Sequence, residues 1–110
     1  MRLPNAEHAE VDIAKLRDYC LDPMHPRGKH KARVFLVALG IGVEQAWELR
    51  EALLNAARAM PAVPGERDAY GERYVVDFQW TTTTGEATLR SVWMVRAAED
   101  HPRLITCFVL

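Results

Sequence analysis

The chain has 110 residues, 49% of them hydrophobic and 26% charged, with a formal net charge of -1 and a pI near 6.4. That length makes one domain, residues 1–110, able to bury a core of its own. The slight acidity excludes a protein that coats nucleic acid or an anionic membrane through charge alone. No apolar run approaches the ~18 residues needed to cross a bilayer, and no apolar stretch follows "MRLPNAEHAEVD" as it would in a signal peptide. The two cysteines, Cys20 and Cys107, are expected to be reduced, buried packing residues of a cytoplasmic protein.

The first predicted helix begins after Asp12, an N-cap, and runs from Ile13 to about Leu21, with Ile13, Leu16 and Cys20 as its apolar stripe. "DPMHPRG" ends it, because two prolines and a glycine cannot continue a helix. A second helix is predicted from Gly28 or Lys29 to Leu39, with Ala32, Phe35, Leu36 and Leu39 as its buried face and "GIG" as its stop. A third runs from about Val43 to Met60, turning Ala46, Leu49, Leu53, Ala56 and Ala57 inward.

Beyond Pro61 the apolar period changes. A short strand from Ala62 to Arg67 is expected to pair across "DAYG" with Tyr74 to Trp80. Thr82 to Glu86 reads as a turn in which Gly85 supplies a permissive backbone, "AEDHP" as a second turn, and "RLITCFVL" as the last strand. Helices followed by an antiparallel meander give an α+β fold, with N-terminal helices packed on a four-stranded antiparallel sheet.

Charge is not spread evenly over this pattern. "HPRGKHKARVF" gathers Arg27, Lys29, His30, Lys31 and Arg33 into seven positions at the start of the second helix. At 100° per residue Lys29 and Arg33 lie side by side, with His30 next to them and Lys31 on the opposite flank, towards solvent. Cations in a first helical turn oppose the helix dipole, so an anion or a carboxylate from elsewhere is expected beside them. Asp18, Asp22, Glu44 and Glu48 are the available neutralisers if the cluster is only a solvated face. His25 and His101 each precede a proline and sit in extended turns. His25 is the one closer to the cluster. No metal-ligand spacing, glycine-rich phosphate loop or nucleophile elbow is present, and no cofactor is implied.

The segments "LPNA", "KLRDYCLDPMHPRGKHKARVF", "RYVVDF", "SVWMV" and "PRLITCFVL" resemble a family of small, uncharacterised bacterial domains. Those domains begin with Leu-Pro-Asn-Ala and carry a His-Pro, Gly, Lys-Ala, Phe signature about twenty residues later. A second resemblance is to the toxin ribonucleases of the barnase, EndoU, colicin D and RelE group, in which helices pack on a four-stranded antiparallel sheet. The colicin D type uses a helix His and Lys with a strand Ser and Trp. Matched residue by residue, this implies His30, Lys29, Ser91 and Trp93 here, with Arg90 and Thr106 as further candidates; the basic cluster adds Arg33 to the catalytic set. The substrate-binding candidates are Arg90 and Trp93, together with His25 and Arg27 beside the cluster.

The chemistry implied is metal-independent RNA cleavage. The 2′-OH attacks, a base takes its proton and cations stabilise the phosphate. Imidazole titrates near neutrality and suits the base, while Lys and Arg hold the phosphate as point charge and planar fork. The need for a 2′-OH points to RNA and not DNA. The partner implied is a cognate antitoxin or immunity protein, and since the domain starts at Met1 an intracellular toxin–antitoxin pair is expected. The competing expectation is a non-catalytic protein- or anion-binding module.

Overall fold

In a computed structural model describing residues 1–110, helices lie against one face of a four-stranded antiparallel sheet of order β1-β2-β3-β4. The strands are β1 (Val63–Asp68), β2 (Gly71–Thr81), β3 (Glu86–Arg96) and β4 (Pro102–Val109). The helices are α1 (Ile13–Lys15), α2 (Lys29–Leu39) and α3 (Ala46–Ala59). The expected α+β architecture is therefore the observed one, and no helix is long and apolar enough to cross a membrane.

Asp12 caps α1 as its type suggests, accepting a hydrogen bond from the Ala14 amide at 3.0 Å. The expected first helix does not stay α-helical. After Lys15 it widens into a π turn, Leu16–Cys20, closed by the Leu21 amide donating to the Leu16 carbonyl at 2.9 Å. One extra residue in that turn brings Leu16, Cys20 and Leu21 together into the core.

α2 follows its predicted bounds. Ala32, Phe35 and Leu39 are buried, but Leu36, expected beside them, is 57% exposed. The helix rests on the π turn and β4 along a narrow stripe, and Leu36 falls outside it. Lys31 also departs from expectation. It is half-buried, with Nζ 4.9 Å from the centre of the Phe108 ring and 5.9 Å from that of Tyr19. α3 opens with a 3₁₀ turn, Val43–Gln45, and buries all five residues predicted to face inward.

On the sheet, Leu89, Ser91 and Trp93 of β3 face the helices by alternation, with Tyr74, Val76 and Phe78 of β2 beside them. The pairing of β4 shifts between Val92 and Trp93, so Ser91 faces Cys107 while Trp93 faces Leu104. The bulge changes which parity points inward and lets both Leu104 and Cys107 be buried. β1 is the exposed edge, and it pairs with Gly71 to Val75 rather than with the later half of β2.

The β2–β3 turn spans the predicted residues, but Gly85 serves it differently. Its backbone is not left-handed; a Cβ there would sit 2.6 Å from the Ala38 carbonyl oxygen. The turn is pressed against the end of α2, where Thr82 Oγ1 donates to the Leu39 carbonyl at 2.6 Å and Gly40 takes the left-handed conformation (φ 67°).

Candidate functional site: a basic groove on the second helix

The groove forms where α2 lies beside the segment joining it to α3. Its cavity of about 760 Å³ is lined by Lys29, His30, Arg33 and Leu36 on one wall and by Ile41, Gly42, Val43, Glu44 and Gln45 on the other. The helical spacing that placed Lys29, His30 and Arg33 together in the sequence thus delivers them to one concave surface. All three side chains are exposed to it.

Two local devices aim the start of α2. His25 Nδ1 accepts hydrogen bonds from the amides of Arg27 and Gly28, each at 3.0 Å, and so caps the turn that leads into the helix. Its ring also meets the Tyr19 ring edge-on at 4.6 Å. Gly28 is packed so closely that a Cβ there would collide with the Tyr19 carbonyl oxygen. His25 therefore shapes the site from behind, and Arg27 stays exposed at the approach to the helix without lining the groove.

The charges in the groove differ from those of the sheet. The arginines of the sheet all reach carboxylates: Arg67 to Glu72, Arg73 to Asp68, Arg90 to Asp77, Arg96 to Glu99, and Arg103 to Glu10 and Glu99. Arg27, Lys29, Lys31 and Arg33 form no ion pair at all, although the formal charge of the chain is near zero. The neutralisation expected of Asp18, Asp22, Glu44 and Glu48 does not occur. Glu44 instead lines the groove wall opposite α2. Its place was not legible in the sequence, because only the left-handed Gly40 and the "GIG" turn bring residues 41–45 back along the helix.

The remaining candidates are not brought to the groove. Ser91 and Trp93 are fully buried, with Ser91 Oγ donating to the Val76 carbonyl at 2.7 Å and Trp93 Nε1 donating to Ser91 Oγ at 2.9 Å. Alternation places the pair on the helix-covered face, so neither reaches solvent to bind or stack. Arg90 lies on the other face and clasps Asp77 through two hydrogen bonds of 2.9 Å, which hold that carboxyl below its ordinary pKa.

Thr106 Oγ1 is shut away from solvent beside the Cys20 sulfur. The two thiols are both fully buried and in contact. A hydrogen bond from Cys107 brings the Cys20 pKa down to about 7 against the opposing effect of burial, and Cys107 is pushed well above its ordinary value. No group of three His, Cys, Asp or Glu residues is arranged to hold a metal ion.

No curated protein matches the chain. Among solved structures, the fold is similar to a chain of the contact-dependent growth inhibition toxin–immunity protein complex from Klebsiella pneumoniae 342. The TM-score is 0.72 at 17% identity, over 91% of this chain and 98% of that one. At that identity the likeness is one of fold. The family described as "Domain of unknown function (DUF6883)" matches residues 2–110, and the chain belongs to that family.

Proposed function

We propose that the protein is a metal-independent endoribonuclease of the toxin type, with the groove of Lys29, His30 and Arg33 as its active site. The observation that carries this reading is the set of cations without carboxylate partners, gathered with an imidazole in one open cavity. Arg33 and Lys29 hold the scissile phosphate. His30 as neutral imidazole takes the proton of the 2′-OH, whose oxygen attacks phosphorus. The P–O5′ bond breaks, and the leaving oxygen takes a proton from water in the open groove, leaving a 2′,3′-cyclic phosphate. Glu44 is a second acid–base group in the same cavity.

The exposed Leu36 and Val43 line the groove, and they favour a protein partner that covers the site when seated on them. The similar solved structure, described as a toxin–immunity complex, supports the same pairing. A non-catalytic binding module is the second reading, since this apolar margin alone would serve it.

The test is cleavage of total RNA and tRNA in the presence of chelator. The parent should cut, and His30→Ala should lose roughly 10²-fold or more of the rate. Equal activity in both would remove His30 from the chemistry. A folded, inhibitor-free parent that cuts nothing would leave the binding module.

A further inference from the structure

A second cluster of charge lies on the other side of the π turn, where residues 9–12 cross the ends of β3 and β4. The cavity there is about 410 Å³ and is lined by Glu10, Asp12, Lys15, Arg50, Arg96 and Arg103 among others. It shares no lining residue with the groove on α2. Its four cations come from four different elements, α1, α3, β3 and β4, and so converge through the fold and not through sequence proximity.

The carboxylates nearby each have a partner. Arg103 spans Glu10 (Nη1–Oε2 2.5 Å) and Glu99 (Nη2–Oε2 2.6 Å). His101 Nε2 lies 3.5 Å from Glu10 and 3.6 Å from Glu99. Asp12 caps α1. The lining carries four cations against two carboxylates, Glu10 and Asp12. Lys15 Nζ spends one hydrogen on the Leu104 carbonyl at 3.3 Å and meets no carboxylate. Arg50 spends Nε on the Val11 carbonyl at 3.2 Å, its guanidinium lies over the Trp47 ring, and its only acidic neighbour is Glu51 at 3.6 Å. Arg96 is mostly exposed, with Nε 3.6 Å from Glu99. The backbone carbonyls fix Lys15 and Arg50 at the cavity wall, and Lys15 has no carboxylate partner.

We infer that this cavity is a second anion site, built for a phosphate group held by Lys15, Arg50 and Arg96, with the Arg103–Glu10–Glu99 network as its fixed wall. The inference does not depend on the ribonuclease reading. The phosphate belongs either to a free phosphate or to the backbone of a bound RNA, and the chemistry of recognition is the same.

The experiment is a chemical-shift titration of ¹⁵N-labelled protein, first with inorganic phosphate and then with a short RNA oligonucleotide, against chloride at matched ionic strength. Amides of Val11, Lys15 and Leu104 should move as one saturable site. Lys15→Met and Arg96→Gln should each weaken that binding about tenfold, and Arg50→Met the same if it folds. In the titration with inorganic phosphate the double variant Lys29→Ala/Arg33→Ala should leave these shifts unchanged, which separates this cavity from the groove. A response to phosphate alone identifies a small-ligand site, and a response only to the oligonucleotide a backbone-phosphate site. No response to either, or a response that persists in Lys15→Met and Arg96→Gln, overturns the inference.

Discussion

Replacing Ser91 with alanine removes a hydroxyl that serves two buried groups at once. Its oxygen accepts from the Trp93 indole at 2.9 Å and its proton goes to the Val76 carbonyl at 2.7 Å. Both side chains are fully shielded, so no water replaces the hydroxyl. An orphaned buried donor or acceptor costs about 1–3 kcal/mol. The indole N–H loses its partner outright, whereas the Val76 carbonyl sits within the β2–β3 pairing and loses less. Together these give a destabilisation of about 2–4 kcal/mol.

For a domain of this size that corresponds to a fall in Tm of roughly 8–16 °C, at about 4 °C per kcal/mol. Urea unfolding followed by tryptophan fluorescence measures it. The double variant Ser91→Ala/Trp93→Phe removes the orphaned donor as well, and a mutant cycle should return a coupling of about 1 kcal/mol or more. Below the lowered melting point, RNA cleavage by Ser91→Ala should match the parent. A Ser91→Ala protein as stable as the parent, or strictly additive variants, would refute the hydrogen-bond reasoning. Loss of cleavage with the fold intact would return Ser91 to the chemistry.

His25→Ala removes the acceptor for two amides and should cost about 1–2 kcal/mol, read in the same unfolding assay. Gly28→Ala forces a Cβ onto the Tyr19 carbonyl oxygen and should cost about 3 kcal/mol or prevent folding, seen as lost soluble yield or a collapsed transition. The Cys20 thiol, lowered from 9.0 to about 7, makes folding more favourable as pH rises between those values. In that interval the unfolded chain still holds the proton that the folded chain has released. Urea midpoints on either side of the interval check this, and Cys107→Ala should flatten the dependence. Asp77→Asn breaks an ion pair more than a third exposed on both sides and should change stability by only about 0.5 kcal/mol.

The fold was readable where one physical rule dominated. Apolar period located α2 and α3, the prolines and glycines placed their ends, and alternation placed Ser91 and Trp93 on one face of β3. Alternation does not say which face is covered, and for that pair the answer decides between core and site. The π turn escaped because 3.6-residue spacing cannot register one added residue. Leu36 was misplaced because apolarity does not reveal the width of the stripe that a helix buries. In the groove, Lys29, His30 and Arg33 were legible as helical neighbours. Glu44 was not, since its position follows from a chain reversal. The cavity around Lys15, Arg50, Arg96 and Arg103 draws on four distant elements, and no local pattern announces it.

The clasp between the β2–β3 turn and the end of α2 has a bearing on how this domain tolerates change. Hairpin tips usually absorb insertions and sequence drift freely. Here the tip holds Leu39 through Thr82, and Gly85 fits flush against Ala38, one helical turn from the residue where the groove wall begins. A lengthened or grafted tip would release the C-terminal end of α2 and let the groove change width, although the strands themselves remained paired. The tip, distant in sequence from every charged residue of the groove, thus fixes the end of the helix that forms one of the groove's walls.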